Sequence, residues 1–471
     1  MNAPVRIEHP NPYLAGNFAP VRSEDDFADL PIAGAIPPEL HGTYFRNGPN
    51  PQFEPRDRNH HWFAGDGMIH AFRVKNGKVS YSNRYVHTNK YVLEHEAGCS
   101  LFGTFGNPMT SDPSVVGKES GVGNTNIVWH AGRLLALEEA HNPHEMDPRT
   151  LASRGYVDYA GRAKKFTAHP KIDPETGEMV FFGYAAGDGF FSNDIGYGVA
   201  DKTGKVTRLD MLKAPFCSMI HDFLVTKNYV AFPVLPLTGN LERAMSGKPA
   251  FAWEPDKGSH IGVLRRDADV STVRWFTTDA CYVFHPMNMW DDGDKIYAHV
   301  MEYEMAPLFP YADGKPGRNA PAKLALWTID LKDASNTVKR ERIDDLAGEF
   351  PRLDERRAGL SYRHGYFAAN SKDDGKILFD AIAHIDHATG KKAVHQFASG
   401  ESPGEPVFVP RGPNAAEGDG FLVATLYRAA ENRSDFIVLD AQDVAAGPIA
   451  SAALPRRVPF GFHGNWAGGV A

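Results

Sequence analysis

Residues 70–87 read HAFRVKNGKVSYSNRYVH, two runs rich in β-branched and aromatic residues that are separated by the dipeptide Asn76-Gly77. Asn-Gly readily adopts the positive φ angles of the tight turn that joins two antiparallel strands. We therefore predict a hairpin in which residues 70–75 pair with residues 78–87. The rest of the chain carries the same kind of signal in weaker form.

Turn signals recur between short apolar runs along the whole chain. The turn signals lie at residues 173–177, 201–204, 291–294 and 387–390, and the β-rich runs lie at residues 179–184, 229–234, 295–303, 324–331 and 436–440. Helical periodicity is scarce, and its best candidates are residues 240–247 and the stretch after Asp147-Pro148. We expect one all-β domain over residues 1–471, and a propeller is the natural architecture because radial repetition protects sheet edges.

Composition and charge exclude several classes of function. Hydrophobic residues make up 42% of the 471 residues and charged residues 23%, which is typical of a soluble protein with a sizeable core. The net charge is −8 without a basic cluster, so we expect no nucleic-acid partner. No apolar run approaches the roughly 18 residues of a membrane span. The first residues lack a secretory signal, so we expect a cytoplasmic protein.

The three cysteines, Cys99, Cys217 and Cys281, are scattered and odd in number. They predict neither a disulfide framework nor a zinc site.

Four of the 20 histidines, His169, His221, His285 and His463, lie beside apolar residues at predicted strand or turn boundaries. Their separations along the chain are too long for a local metal motif. From these residues alone, two interpretations stay open. Separate sheets could each supply one metal ligand to a common axis, or the imidazoles could be hydrogen-bonded residues of the core.

A resemblance to a known family decides between them. The motifs that carry it lie, in order, at residues 42–53, 61–72, 123–128, 166–179, 221–223, 284–288, 349–352, 404–411 and 462–466. Together they resemble the carotenoid cleavage oxygenases, a family that also contains the stilbene-cleaving oxygenases. Residues 100–103 are similar to the bacterial stilbene-cleaving branch.

The resemblance implies a seven-bladed β-propeller with a cap of loops and short helices over the active-site face. It also implies one Fe(II) ion with a set of catalytic residues. The implied ligands are His169, His221, His285 and His463, and the implied carboxylates behind three of them are Glu139, Glu349 and Glu405. Neutral imidazoles suit Fe(II) and leave coordination positions open. Carboxylates behind them orient the rings. Thr125 is expected beside an open position.

The activity implied is O2-dependent cleavage of a conjugated carbon–carbon double bond into two carbonyl products. The substrate would be an apocarotenoid or a stilbenoid or other aryl alkene, a hydrophobic small molecule that needs no organic cosubstrate. Two alternatives remain. The same iron could serve an isomerase or hydrolase, or the propeller could be a non-catalytic binding scaffold. O2 consumption and metal analysis separate the three.

Two expected substrate-binding positions depart from the stilbene-cleaving branch. Phe105 and Glu138 stand where that branch has a Tyr and a Lys around the substrate's phenolic oxygen. Phe donates no hydrogen bond, and a carboxylate repels a phenolate. We therefore expect 4-hydroxystilbenes to be poor substrates, unless Glu138 turns away as a structural residue.

The partners expected are O2 and the substrate, with the oligomeric state left open. Peripheral membrane contact is a further expectation, through apolar residues 235–237 and 308–311 at the mouth of a substrate tunnel.

Overall fold

The computed structural model describes residues 7–58, 60–103, 105, 110–159, 161, 165–189, 191–318, 320–371 and 378–470. The chain forms two compact units. The first comprises Met1–Val157, Leu378–Ile385 and Gly390–Ala471, and the second comprises Asp158–Ile377 and Asp386–Thr389. Both consist mainly of antiparallel sheets, which confirms the predicted all-β class. The single domain over residues 1–471 stays a prediction.

The strands are numbered in chain order. Up to residue 157 they are β1 (Asp26–Phe27), β2 (Ile32–Gly34), β3 (Gly42–Pro49), β4 (Gly67–Lys75), β5 (Lys78–Tyr85), β6 (Asn126–His130), β7 (Arg133–Leu137), β8 (His144–Met146) and β9 (Ser153–Tyr156). The second unit follows with β10 (Lys171–Ile172), β11 (Met179–Gly183), β12 (Asp194–Ala200), β13 (Val206–Lys213), β14 (Leu224–Val225), β15 (Tyr229–Val234), β16 (Leu237–Gly239), β17 (Phe251–Trp253), β18 (Ser259–Arg265), β19 (Arg274–Thr278), β20 (Tyr282–Asp292), β21 (Lys295–Tyr303), β22 (Lys323–Asp330), β23 (Val338–Leu353) and β24 (His364–Asn370).

The chain then continues through β25 (Ala381–Asp386), β26 (Lys391–Gln396), β27 (Glu401–Pro403), β28 (Val407–Pro410), β29 (Gly420–Arg428), β30 (Arg433–Asp440), β31 (Pro448–Ala453) and β32 (Gly464–Gly468). The α-helices of the described residues are α1 (Asn89–Ala97) and α2 (Leu241–Met245). Short 3-10 helices lie at Pro12–Leu14, Gly16–Phe18, Trp62–Ala64, Pro113–Val115, Pro255–Lys257, Val270–Thr272, Glu355–Arg357 and Val444–Ala446.

Three sheets lie wholly in the first unit, and strand β3 is buried on both faces because it lies between two of that unit's cores. The sheets have the orders β1-β5-β4-β3-β32, β6-β7-β8-β9 and β2-β31-β30-β29-β27, with β28 also paired to β29. Successive side chains of a strand point to opposite faces. Tyr44 therefore packs in one core with Phe72 and Phe436, and Phe45 packs in the other with Ile127.

The second unit contains the sheets β10-β11-β12-β13 and β14-β15-β18-β19, the pair β16-β17, and the sheet that begins β20-β21-β22-β23-β24. Strand β23 is long and serves two partners. It pairs with β22 up to Ala347 and with β24 from Ala347 onward. Its second half therefore begins a new set of strands inside the same sheet.

The predicted hairpin is confirmed. Strands β4 and β5 pair with Lys75 opposite Lys78, and the turn residues Asn76 and Gly77 have φ angles of 52° and 72°. Each of the other predicted β-rich runs coincides with a strand, β11, β15, β21, β22 or β30.

The two predicted helices had different outcomes. Residues 240–247 contain α2, whose N-cap is Asn240. The stretch after Asp147-Pro148 is not helical, and that prediction is wrong. The Asp147 carboxylate accepts hydrogen bonds from the backbone N–H groups of Arg149 and Thr150. Leu151 has a φ of 58°, so the chain turns there from β8 into β9.

Helix α1 was not among the predicted elements. Thr88 caps its start by accepting a hydrogen bond from the backbone N–H of Tyr91, and Gly98 ends it with a φ of 68°. Its buried side chains are Lys90, Tyr91 and Glu94, a mixture without the apolar face that a sequence pattern would reveal.

The apolar segments expected at a tunnel mouth are mostly covered. Leu235 and Leu237 are buried, so the expectation of an exposed rim is wrong for residues 235–237. Phe309 is also buried, whereas Leu308 and Tyr311 are half-buried. Within the part of the chain that the structure describes, no helix has the length and apolar character to cross a membrane. Peripheral membrane contact stays a prediction.

We predict that Gly77→Ala lowers the free energy of unfolding by about 1 kcal/mol, because a side chain disfavours positive φ. A Cβ at Gly77 would meet no atom within 4 Å, so the substitution isolates the backbone conformation. Gly412→Ala is the matched control, since that site is equally open and its φ is outside the positive range. Urea unfolding measures both variants, and equal losses would contradict the prediction.

Candidate metal centre

The four candidate histidines occupy equivalent places in their sheets. His463 directly precedes β32, His169 and His221 lie two and three residues before the first residues of β10 and β14, and His285 lies within β20. Strands β10, β14, β20 and β32 are each the first or last strand of their sheet. A strand at a sheet edge leaves one side without a neighbour, so residues at its start are free to point away from the sheet. His285 lies where the β20–β21 register shifts.

The structure brings these four side chains together. Candidate ligand nitrogens of all four lie within 4.8 Å of one another, and all four residues are buried. The Nε2 atom of His221 is 3.1 Å from the Nε2 atoms of both His169 and His285. Two imidazoles that bind one ion at about 2.1 Å and at a right angle would have their nitrogens about 3 Å apart. The donor set therefore fits a single metal ion.

Glu349 orients His285 from behind. Its Oε2 accepts a hydrogen bond from His285 Nδ1 at 2.5 Å and another from the backbone N–H of Phe350 at 2.6 Å. The hydroxyl of Tyr303 donates to Oε1 at 3.2 Å. Because Nδ1 carries the proton in this arrangement, Nε2 of the neutral ring is left with its lone pair. Burial and the Glu349 carboxylate raise the pKa of Tyr303 well above its ordinary value.

Glu405 does the same for His463. Its Oε1 accepts a hydrogen bond from His463 Nδ1 at 2.9 Å, and its Oε2 accepts one from the backbone N–H of Gly464 at 2.8 Å. The side chain is almost completely buried. Both oxygens therefore hold the same short segment, which fixes the ring and its tautomer together.

Asp222 is a carboxylate whose position sequence reasoning did not assign. Its Oδ2 lies 3.8 Å from His169 Nδ1, and Lys171 Nζ lies 2.8 Å from Oδ1. The distance to His169 is too long for a direct hydrogen bond. Burial raises the pKa of Asp222, and Lys171 opposes that shift. The sequence feature that could have indicated this residue is its position directly after His221, in the motif at residues 221–223.

Thr125 contacts a candidate ligand through its backbone, whereas Glu139 is placed by its burial and its position after β7. The carbonyl oxygen of Thr125 accepts a hydrogen bond from the backbone N–H of His463 at 3.1 Å, so Thr125 lies next to a candidate ligand. Glu139 is half-buried in the turn after β7. Its expected role behind a ligand histidine stays a prediction.

Phe105 belongs to an aromatic cluster that reaches the residue before His463. Its ring stacks on His61 with centroids 5.1 Å apart and packs edge-on against Phe63 at 5.7 Å. Phe63 in turn packs edge-on against Phe462 at 5.6 Å. A chain of ring contacts thus connects Phe105 with Phe462, the residue before His463.

Glu138 is buried and engaged by two groups. Its Oε2 accepts a hydrogen bond from the backbone N–H of Val122 at 2.8 Å, and its Oε1 lies 2.6 Å from His141 Nδ1. The other ring nitrogen, His141 Nε2, lies 3.1 Å from the Glu119 carboxylate. His141 thus lies between the Glu138 and Glu119 carboxylates. The charge of Glu138 therefore has a local partner.

Comparisons with known proteins find relatives over nearly the whole chain. The sequence profile of the family described as RPE65, retinal pigment epithelial membrane protein, matches residues 18–468. The chain is 40% identical to isoeugenol monooxygenase of Pseudomonas nitroreducens, over 98% of this chain and 99% of that protein. It is 38% identical to lignostilbene-α,β-dioxygenase isozyme III of Sphingomonas paucimobilis, over 96% of each. The crystal structure of Pseudomonas brassicacearum lignostilbene dioxygenase superposes with a TM-score of 0.94 at 35% identity, covering 100% of both chains.

We predict that Glu405→Gln weakens Fe(II) binding about 10–100-fold, the usual effect of losing a carboxylate behind a ligand imidazole. The amide keeps one acceptor oxygen but removes the charge that strengthens the hydrogen bond from His463. Anaerobic Fe(II) titration measures the change. Glu401→Gln, which loses an ion pair with Arg428 in the same unit, is the control. Equal affinities for Glu405→Gln and the native protein would exclude Glu405 from this role.

Proposed function

The chain belongs to the family of RPE65 and the carotenoid cleavage oxygenases, and we propose that it uses one Fe(II) ion and O2 to cleave the double bond of an aryl alkene. As an oxygenase of this family it splits a carbon–carbon double bond of the stilbene or carotenoid kind. The proposal therefore concerns the identity of the metal and the substrate class.

The four-histidine cluster is the observation that carries the proposal for iron. His169, His221, His285 and His463 would hold the ion, with Glu349 and Glu405 fixing two of the rings and Glu139 expected to fix a third. When bound, Fe(II) would supply the site at which O2 is activated. The histidines would be neutral ligands, and Glu349 and Glu405 hold the protons of His285 and His463 on Nδ1, away from the ion.

A seven-bladed propeller over residues 1–471, with a cap over the active-site face, is part of the same proposal. It is supported by the superposition on a lignostilbene dioxygenase over the whole chain. The sheet orders also support it, because dividing β23 at Ala347 gives seven sets of at least four strands.

Aromatic neighbours of the centre favour an aryl alkene over an apocarotenoid. Phe105, Phe63 and Phe462 can pack against an aromatic ring by the offset or edge-on contacts that such rings prefer. Two close relatives are named for isoeugenol and lignostilbene, which fits the same choice. Thr125 would lie beside an open coordination position of the ion, which its backbone contact with His463 supports.

Glu138 enters the proposal as a neighbour of the substrate whose charge is balanced. The contacts with His141 and Val122 remove the electrostatic reason to exclude a phenol. Phe105 is then the residue expected to disfavour a 4-hydroxystilbene, because it offers no hydrogen-bond donor. Isoeugenol is the first substrate to test.

The decisive experiment loads the protein with Fe(II) without oxygen and then adds air with a panel of isoeugenol, stilbenes and apocarotenals. We expect O2 consumption and two carbonyl fragments from the aryl alkenes. Turnover without O2 consumption would point to the isomerase or hydrolase alternative. Metal binding without any turnover on the panel would favour the scaffold alternative.

We predict that the native protein binds about one iron per chain. His285→Ala should lose the iron and all cleavage activity, because three imidazoles bind the ion less tightly than four. Circular dichroism should stay that of the native protein. His260→Ala is the control, since that partly exposed histidine contacts only the carbonyl oxygen of Lys257 through its ring nitrogen. Full iron content in His285→Ala would refute the assignment.

We further predict that Phe105→Tyr raises kcat/KM for a 4-hydroxystilbene about three- to tenfold, the value of one neutral hydrogen bond. Activity on an alkene without a phenol should not rise. Phe191→Tyr, in the second unit and packed against Phe251, is the matched control. A native protein that already cleaves 4-hydroxystilbene as fast as the same stilbene without the hydroxyl would contradict the role of Phe105.

A further inference from the structure

We propose that Asp66, Lys90 and Glu94, here called the α1 clamp, position the segment that carries Phe105 and thereby set the affinity for the substrate. The inference rests on the proposed function, since it assumes that Phe105 contacts the substrate. Lys90 and Glu94 lie one turn apart on α1, and Asp66 lies just before β4. All three side chains are buried.

The clamp is a buried cation shared by two carboxylates. Lys90 Nζ donates to Asp66 Oδ1 at 2.6 Å and to Glu94 Oε2 at 2.8 Å. The side chains of Lys90, Asp66 and Glu94 are 10%, 3% and 2% exposed. Charges removed from water persist only when they are well paired, so removing one partner would disturb the other two.

The second oxygen of Glu94 extends the clamp to the backbone of the Phe105 segment. Glu94 Oε1 accepts hydrogen bonds from the backbone N–H groups of Leu101 and Phe102 at 2.9 and 3.0 Å. Hydrogen bonds to an ionised acceptor are stronger than neutral ones. They hold the backbone three and four residues before Phe105.

Asp66, at the other end of the clamp, binds the backbone at residues 50–52, which precede His61 and Phe63 in the chain. Asp66 Oδ2 accepts a hydrogen bond from the backbone N–H of Gln52, and its carbonyl oxygen accepts one from Asn50. Asp66 also follows closely on His61 and Phe63, the two rings that Phe105 contacts. The same buried cation therefore ties together both sides of the Phe105 contact.

These contacts explain why a charged helix face is buried next to an aromatic surface. A stacked ring is useful for recognition only if its backbone is fixed to within a fraction of an ångström. The ionic hydrogen bonds of α1 can fix this backbone, because hydrogen bonds are directional and apolar packing is not. The clamp acts through Phe105 and contacts no substrate, so its members are positioning residues.

The test uses Glu94→Gln in the Fe(II)-loaded full chain with isoeugenol as the probe. The amide places an N–H₂ group against either Lys90 or the two backbone donors, so one set of contacts is lost. We expect hydrogen exchange of the amides of Leu101 and Phe102 to accelerate about tenfold or more. We expect KM to rise about fivefold while kcat changes less than about twofold, because a displaced ring affects binding first.

A double-mutant cycle with Phe105→Ala separates positioning from general loss of stability. In the Phe105→Ala background, Glu94→Gln should raise KM by less than about twofold, since the ring it positions is absent. Asp173→Asn breaks a partly buried ion pair with Arg266 in the second unit and should leave KM and the exchange of residues 101–102 unchanged. If Glu94→Gln does not fold, Glu94→Asp replaces it, because the shorter side chain keeps the charge but reaches less far.

The outcomes distinguish this inference from the proposed function. Additive effects of Glu94→Gln and Phe105→Ala on KM, or unchanged exchange at residues 101–102, would overturn the clamp while cleavage by the native protein still supported the proposed function. Absence of O2-dependent cleavage in the native protein would overturn the proposed function, and the exchange experiment would still report whether Glu94 orders the segment.

Discussion

Four imidazoles that lie within 4.8 Å of one another can share one ion only if each turns an unprotonated nitrogen toward the same point. A neutral imidazole carries one proton, so that proton must be held on the opposite nitrogen. Glu349 and Glu405 do this for His285 and His463 by accepting from Nδ1. Each carboxylate also accepts a backbone N–H, which fixes it in the core. The rest of the site depends on this arrangement of buried charge behind neutral ligands.

The positions of the four histidines at the edges of their sheets are the second requirement for the cluster. Each ligand lies at or just before a strand on the edge of its sheet, where the backbone has no further neighbour on one side. The short strands β10 and β14 contribute only two residues each, so the chain before them is free of the sheet's register. A register shift at His285 does the same within the longer strand β20. Irregular backbone is thus found at the positions that present the candidate ligands.

Features that depend on residues adjacent in sequence could be predicted, whereas features that depend on contacts between distant residues could not. The hairpin at Asn76-Gly77 was predicted because its cause is local, a dipeptide that accepts positive φ. The four histidines were ambiguous as a pattern, since the contacts that unite them join residues far apart in sequence. Helix α1 was missed because Lys90 and Glu94, usually surface residues, are buried there by pairing with Asp66. The turn after Asp147 was read as a helix because its side-chain hydrogen bonds compete with the helical ones.

Glu138 shows why a charge read from sequence is an incomplete description of a site. Taken alone, a carboxylate beside the substrate would repel a phenolate. In the fold, His141 lies between Glu138 and Glu119, and a proton on each of its nitrogens would give it a positive charge against both carboxylates. Tyr156 donates to the far oxygen of Glu119, which disperses the remaining negative charge away from Glu138. If Glu138 and Phe105 border the substrate as proposed, the substrate would meet the field of the whole group, and the shape and polarity of Phe105 would set the selectivity that is left.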